Sequence, residues 1–235
     1  LYSMQEADAL IGLHAQVGRD IPESVRDKLV TLFQSAEQSD GFTGTAVSDS
    51  SCFDVCVIGH LRDEKDSLRA ALASRLLPSK SRIRVSCAGK PHNAHWENLA
   101  KQEMQENPRF RWLGELEKGQ IDKLMAESQL LVMSSVMEGG ANVVSEACRA
   151  GLPVIASNIS GNTGLLGEDY AGYYPVGDTQ ALAELLLRAE SDTEFLEKLR
   201  KQVAQLANLF TQEKERESLE QALSLAVQCS SERSL

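Results

Sequence analysis

The sequence predicts an α/β protein built on a parallel sheet. Short apolar runs alternate with longer mixed stretches along most of the chain, a spacing that reads as βαβ units. The short runs are rich in Val, Ile and Leu and hardly alternate with polar residues, as in strands covered by helices on both faces. Sheets of this kind bind ligands beyond the carboxyl ends of their strands. The loops after Ile58, Cys87, Leu113, Ser134 and Ser157 therefore matter most.

In chain order, strands are expected at 53–58, 82–87, 109–113, 129–134 and 153–157, with a short one at 173–176. Helices are expected at 65–77, 96–106, 120–127, 142–150 and 179–189. Upstream, residues 1–36 hold two further apolar runs, 9–13 and 28–33, with Pro22 opening a short helix between them. That is too little for a domain, and it reads as the tail of a preceding one. Residues 38–51 are rich in Ser, Gly, Thr and Asp and read as a linker.

The end of the chain is strongly helical over 194–227. Leu196, Leu199, Val203, Leu206 and Leu209 keep helical spacing, and Thr211 is placed to cap a last helix carrying Leu219, Leu223 and Val227. No heptad runs far enough for a coiled coil, so core-facing or domain-bridging helices are expected. The expected division is 1–37 as a remnant, 38–51 as linker, 52–210 as the α/β domain and 211–235 as C-terminal helix and tail.

A chain of 235 residues can bury a substantial core. Its formal charge of −10 repels phosphate backbones, which excludes general nucleic-acid binding. An anionic ligand must then be met by local cations and backbone amides. No apolar run approaches the ~20 residues of a membrane span. The opening residues lack the basic and apolar regions of a signal peptide. Position 1 is Leu rather than Met, so the chain is expected to begin inside a longer protein. The five cysteines, Cys52, Cys56, Cys87, Cys148 and Cys229, are scattered and form no metal-ligand spacing. Reduced thiols in a cytoplasmic protein are expected.

The most informative segment runs from Ser134 to Ser157. A strand ends at Ser134, a Gly139-Gly140 pair follows, a helix begins near Asn142, Gly151 stops it, and Pro153 opens the next strand. The glycine pair permits close backbone approach. The N–H groups of Ala141, Asn142, Val143 and Val144 are expected to face outward from the positive end of the helix dipole, an anion site that needs no basic residue. Glu138 stands before that site and Glu146 one turn inside, on the face shared with Asn142. Either glutamate alone would read as a solvated surface carboxylate. Together they suit a phosphate carrying hydroxylated rings on both sides, with carboxylates accepting from hydroxyls and amides holding phosphate oxygens. There is no Asp-x-Asp cluster for Mg²⁺, and neither metal nor cofactor is expected. His14, His92 and His95 read as partnered or solvated surface residues. The glycine-rich stretch 160–167, following a strand end, is expected to line the same cleft.

These residues carry a resemblance. Glu138-x7-Glu146, followed by Ala147, Gly151, Pro153 and Val154, resembles the signature of the family 4 retaining-type glycosyltransferases. Val57-Ile-Gly-His-Leu-Arg-Asp-Glu-Lys65 resembles the first loop of their C-terminal domain, usually Gly-Arg-Leu with a Lys four residues after the Leu. Here His60 takes the place of the Arg, Arg62 follows two positions later, and Lys65 keeps its place. Leu113-Gly114, continuing into Glu115 and Leu116, resembles the loop that meets the nucleotide base. The resemblance covers about residues 53 to 190, and 1–36 resembles the end of the N-terminal domain.

The resemblance implies a GT-B-type, Rossmann-like C-terminal domain that binds a nucleotide sugar, preceded by the tail of a truncated N-terminal acceptor domain. It implies that Glu146 holds the ribose and that Glu138 faces the donor sugar. Lys65, with Arg62 or His60, holds the diphosphate, and Gly59 belongs to the same donor loop. Lys65, Arg62 and Glu138 are the expected catalytic group.

A closer resemblance adds Gly59-His-Leu-Arg, Leu68 to Pro78, Arg111-Trp-Leu-Gly-Glu-Leu116, Glu138-Gly-Gly-Ala-Asn-Val-Val-Ser-Glu-Ala147 and Gly161-Asn-Thr-Gly-Leu-Leu-Gly167. Together these resemble the selenosugar synthases of selenoneine biosynthesis. That resemblance implies a UDP-sugar and selenophosphate as substrates, joined through a carbon–selenium bond. The alternatives are a family 4 enzyme with a hydroxyl acceptor, or a nucleotide-sugar-binding fragment without turnover.

Overall fold

Apolar side chains decide the layout from the first strand onward. The computed structural model describes residues 2–37 and 52–233, so the stretch read as a linker lies outside the described residues. Helix α1 (Tyr2–Glu6) leads to strand β1 (Leu10–Gly12). Helix α2 (Val17–Asp20) and a 3-10 turn at Glu23–Lys28 then lead to β2 (Leu29–Thr31). β1 and β2 pair in parallel, Leu10 opposite Leu29 and Gly12 opposite Thr31.

The main sheet comprises β3 (Phe53–Ile58), β4 (Ile83–Ala88), β5 (Phe110–Trp112), β6 (Leu130–Met133), β7 (Val154–Ser157) and β8 (Tyr173–Tyr174). Helices α3 (Arg69–Arg75), α4 (Ala94–Glu106), α5 (Lys118–Glu127), α6 (Asn142–Ala150) and α7 (Ser160–Leu166) fill the connections. After β8 come α8 (Thr179–Ser191), α9 (Thr193–Leu206) and α10 (Gln212–Arg233). The strand order is β5-β4-β3-β6-β7-β8, and every pairing is parallel. The chain starts mid-sheet at β3, runs outward to β5, returns to β6 and runs outward the other way. Right-handed crossovers in opposite directions put α3 and α4 on one face and α5 and α6 on the other. The order reverses between β3 and β6, and there the sheet opens its ligand crevice.

All four residues of β6 and all four of β7 are buried, which explains their lack of alternation. Cys56, Cys87 and Cys148 lie in this core, and burial pushes each thiol up to about 12. Among the described residues no helix is long and apolar enough to cross a membrane.

Three elements differ from the sequence expectation. The helix expected at 65–77 begins only at Arg69. Lys65 closes a 3-10 turn, and Asp66 adopts a left-handed φ of 45° with its carboxylate accepting from Arg69 Nε at 2.7 Å. Asp tolerates that conformation because its short side chain bonds locally. The glycine-rich stretch at 160–167 is helical rather than a loop, since Gly161 and Gly164 let other chain segments press directly on α7. His14 is buried rather than a surface residue, with Nδ1 accepting from Gln16 N at 3.2 Å. Burial lowers its pKa, against an opposing pull from Asp20.

Two backbone hydrogen bonds help to dock residues 2–37 on the main body. Ala15 N donates to Gly164 O at 3.0 Å, while Gln16 and Arg19 both reach Glu168. Ala36 N donates to Phe210 O at 3.0 Å, and the Phe33 and Phe210 rings meet edge-on at 5.6 Å. Thr211 caps α10, its Oγ1 accepting from Lys214 N at 3.2 Å. Helix α9 buries Phe195, Leu199 and Val203, whereas Leu219, Leu223 and Val227 of α10 stay exposed.

Leu186 tests the packing of α8, where it is wholly buried. Leu186→Ala should cost about 2–5 kcal/mol, read from the midpoint of urea unfolding. A loss below about 1 kcal/mol would mean that α8 does not rest on the core as described.

Candidate functional site

The loops at the reversal point are tied to each other before any ligand is considered. After β3 the chain passes Gly59 and His60 to the 3-10 turn that ends at Lys65. After β6 it passes Ser134 and Ser135 to Glu138. Ser134 Oγ donates to Lys65 O at 3.1 Å and to Asp66 O at 2.8 Å, and Val136 N donates to Glu64 O at 2.9 Å. These bonds bring Lys65 Nζ onto Glu138 Oε2 as an ion pair whose two side chains are only 17% and 9% exposed.

Glu138 is held from behind by a hydrogen-bonded run of small polar groups. Ser135 Oγ donates to Glu138 Oε2 at 3.2 Å, and Ser157 Oγ donates to Ser135 O at 2.5 Å. Asn162 Nδ2, wholly buried on α7, donates to Ser157 O at 2.9 Å. A β-carbon at Gly161 would overlap the carbonyl oxygen of Glu138, so α7 presses directly on the Glu138 loop.

Beyond Glu138, Gly139 and Gly140 lead into α6. Ala141 stands at its cap without a side-chain hydrogen bond, so the amides of the first turn are left for solvent or ligand. Val144 departs from the expected cradle. Its N–H donates to Ala141 O at 2.8 Å and its side chain is wholly buried in the core. The opening is therefore made by Ala141, Asn142 and Val143. On the next turn, Glu146 Oε1 receives Lys118 Nζ of α5 at 3.1 Å. Burial works against the Lys118 charge, but hydrogen bonds to Asp122 and Glu146 outweigh it and raise the pKa.

Together these groups line a cleft of 600 Å³. Its walls include the expected Gly59, His60, Arg62, Lys65, Glu115, Leu116, Gly140, Ala141, Asn142, Val143 and Glu146. Gly114, Gly139 and Val144 do not line it, and Glu138 sits behind Lys65 as its partner. The stretch 160–167, expected along the cleft, backs Glu138 instead.

The sequence reading missed Gln34, Lys90, Ile121 and Lys118. The first three line the cleft, and Lys118 touches Glu146. Lys90 lies within 3.9 Å of Glu115, and Arg62 within 3.7 Å of Glu64. Lys90 and Lys118 each follow a strand end, a position that could have singled them out. Gln34 also follows a strand, β2, but that strand belongs to the separate two-stranded sheet and not to the main sheet whose loops were singled out. Among the described residues no group of three or more His, Cys, Asp or Glu is placed to hold a metal ion.

The all-parallel sheet, with the uncapped start of α6 at its reversal point between two lysine–glutamate pairs, defines an α/β domain whose cleft opens at the strand ends. The chain belongs to the family Glycosyl transferases group 1, whose profile matches residues 47–206. A glycosyltransferase from Rickettsia africae ESF-5 superposes with a TM-score of 0.76 at 16% identity, over 92% of this chain and 63% of that one. Anabaena Alr3699/HepE in complex with UDP and glucose gives 0.73 at 18% identity, over 99% and 64%. The same protein with UDP gives 0.73 at 17%, over 99% and 65%. At these identities the likeness is one of fold, the GT-B glycosyltransferase fold. The chain spans 63% to 65% of the length of these structures. No curated protein matches it.

The contact between α7 and the Glu138 loop can be tested alone. Gly161→Ala should destabilise the protein by about 1–3 kcal/mol, because backbone must yield to the new methyl group. Urea unfolding measures this, and an unchanged midpoint would mean that α7 does not press on Glu138.

Proposed function

We propose that this chain forms the donor-binding part of a glycosyltransferase that uses a UDP-sugar. The observation that carries this reading is the cleft at the sheet reversal. There the uncapped first turn of α6 lies between two lysine–glutamate pairs, Lys65–Glu138 and Lys118–Glu146. The first-turn amides hold phosphate oxygens. Glu146 accepts the ribose hydroxyls, and the loop of Gly114, Glu115 and Leu116 meets the base. Lys65 holds the diphosphate, together with Arg62 or His60. Glu138 faces the sugar. Charge grows on the UDP as its bond to the anomeric carbon breaks, and a preorganised donor aimed there is worth about 2.7–4 kcal/mol.

We further propose selenophosphate as the acceptor. Support comes from the resemblance of the 138–147 and 161–167 strings to selenosugar synthases, and from chemistry. A selenium lone pair forms the new bond to the anomeric carbon as the carbon–oxygen bond to UDP breaks. An anionic nucleophile of that kind needs no general base. A reducing, cytoplasmic setting goes with this proposal, since Cys56, Cys87 and Cys148 are buried free thiols. The amide cradle and lysines take the place of a metal.

Product analysis with UDP-sugars and either selenophosphate or a sugar alcohol, with and without EDTA, tests the whole proposal. A selenium-linked sugar formed equally in EDTA is the expected result. A product only with the alcohol would replace the acceptor, UDP binding without any product would leave a binding module, and activity restored by Mg²⁺ would refute the metal-free site.

Glu146→Ala should weaken UDP binding roughly ten-fold or more, since hydrogen bonds to a charged acceptor are lost. Calorimetry with UDP measures it, and an unchanged affinity would remove Glu146 from the ribose.

Lys65→Ala should lower kcat more than it raises KM, because the charge it meets is largest in the transition state. Glu138→Ala should alter the preference among UDP-sugars and leave UDP affinity near its original value. Steady-state kinetics with two UDP-sugars, together with UDP binding, separates the roles. Equal losses for every ligand in Glu138→Ala would take Glu138 off the sugar.

A further inference from the structure

One polar side chain in the cleft comes from outside the segment that the family profile matches, and it has no hydrogen-bond partner among the described residues. Gln34 follows β2 and lies before the matched residues 47–206. Its half-buried amide lines the cleft beside Lys65, Gly140 and Asn142. The chain around it is pinned on both sides. Leu32 N donates to Gly12 O at 2.8 Å, Ser35 N donates to Glu215 Oε2 at 3.2 Å, and Ala36 N donates to Phe210 O at 3.0 Å. The neighbours of Gln34 are committed to the protein while its own amide is not.

Gly140 shows how near Gln34 comes to α6. A β-carbon at position 140 would stand 3.4 Å from Gln34 Oε1 and 2.8 Å from Leu13 Cβ. The amide therefore sits directly over the residue that leads into the first turn of α6. What it offers there it shares with the Asn142 amide and the His60 imidazole, and not with the charged groups of the cleft. Lysines, arginine and backbone N–H groups only donate, and glutamates only accept. An amide side chain does both and carries no charge. Phosphate oxygens only accept, so they gain nothing from its carbonyl. A hydroxyl both donates and accepts, and a ring of hydroxyls beyond the phosphates is the group that matches it.

We infer that Gln34 contacts the sugar of the donor and helps to select which sugar is accepted. This rests on the reading of the cleft as a nucleotide-sugar site. It assigns part of the sugar subsite to the N-terminal segment, not to the loop of Glu138 alone.

Binding of UDP, UDP-glucose and UDP-N-acetylglucosamine to the unaltered protein and to Gln34→Leu, by calorimetry, tests it. In Gln34→Leu, UDP affinity should stay within about two-fold, while the affinity for at least one UDP-sugar should fall about ten-fold, the loss expected for a pair of neutral hydrogen bonds. Equal losses for UDP and both UDP-sugars, or no loss for any, would overturn the inference. If the unaltered protein binds none of the three, the nucleotide-sugar reading fails and Gln34 with it, an outcome visible before any variant is made. Should Gln34→Leu fail to fold, Gln34→Asn, which keeps the amide but withdraws it by one methylene, carries the same comparison with the same outcomes.

Discussion

Lys65 and Glu138 meet where the sheet reverses its order, and the loops on either side are shaped by that meeting. The pair is largely withdrawn from water, which makes it demanding. Two desolvated charges repay their loss of hydration only with good geometry and further hydrogen bonds, and removing one partner of a buried pair costs about 3–5 kcal/mol. The further bonds are present. Ser135 donates to the Glu138 carboxylate, and Ser134 ties the backbone of Lys65 and Asp66 to the end of β6. The left-handed turn at Asp66 is what lets the chain stop at Lys65 and restart as α3 four residues later.

The same principle organises the rest of the cleft. The protein is acidic overall, yet Arg62, Lys65, Lys90 and Lys118 gather around one opening. Each stands near a carboxylate: Glu64, Glu138, Glu115 and Glu146 respectively. The cations are thus not held apart as bare charges. Under the proposed function, a diphosphate would take up lysines that already have partners, and each glutamate so released would turn to a hydroxyl of the same ligand. Binding would then be an exchange of hydrogen bonds and not the filling of an unbalanced field, with no strong like-charge repulsion to overcome beforehand.

Much of the fold was legible because it is written in local patterns. The six strands of the main sheet begin and end within two residues of their expected places, β6 on an unbroken apolar run, and α6 spans 142–150 as its glycine stop and proline restart require. What escaped depended on contacts distant in sequence. Nothing near Asp66 signals that the helix must wait until Arg69, since the reason lies at Ser134. Glycines 161 and 164 read as a loop because their use is to admit Glu138 and His14. Lys118 and Gln34 reach the cleft from α5 and from the end of the N-terminal segment, and no short spacing links either to Glu146 or Gly140. Val144 was misplaced for the opposite reason: helix periodicity turns it inward, and only the first residues of α6 keep their amides open.

Helix α7 gathers two distant segments onto one stripe of bare backbone. Gly161 and Gly164 stand three residues apart and so share a face of the helix. Gly161 rests against the Glu138 carbonyl, and Gly164 rests against His14 of the N-terminal segment. Backbone meets its neighbour at both points, so neither contact can be eased by a side chain of α7 turning away. The bond from Ala15 N to Gly164 O and the polar contacts at Glu168 fasten the N-terminal segment beside the same helix. One short helix thus sets the seat of Glu138 and of the start of the chain together, and a bulkier residue at either glycine would displace the segment that rests on it.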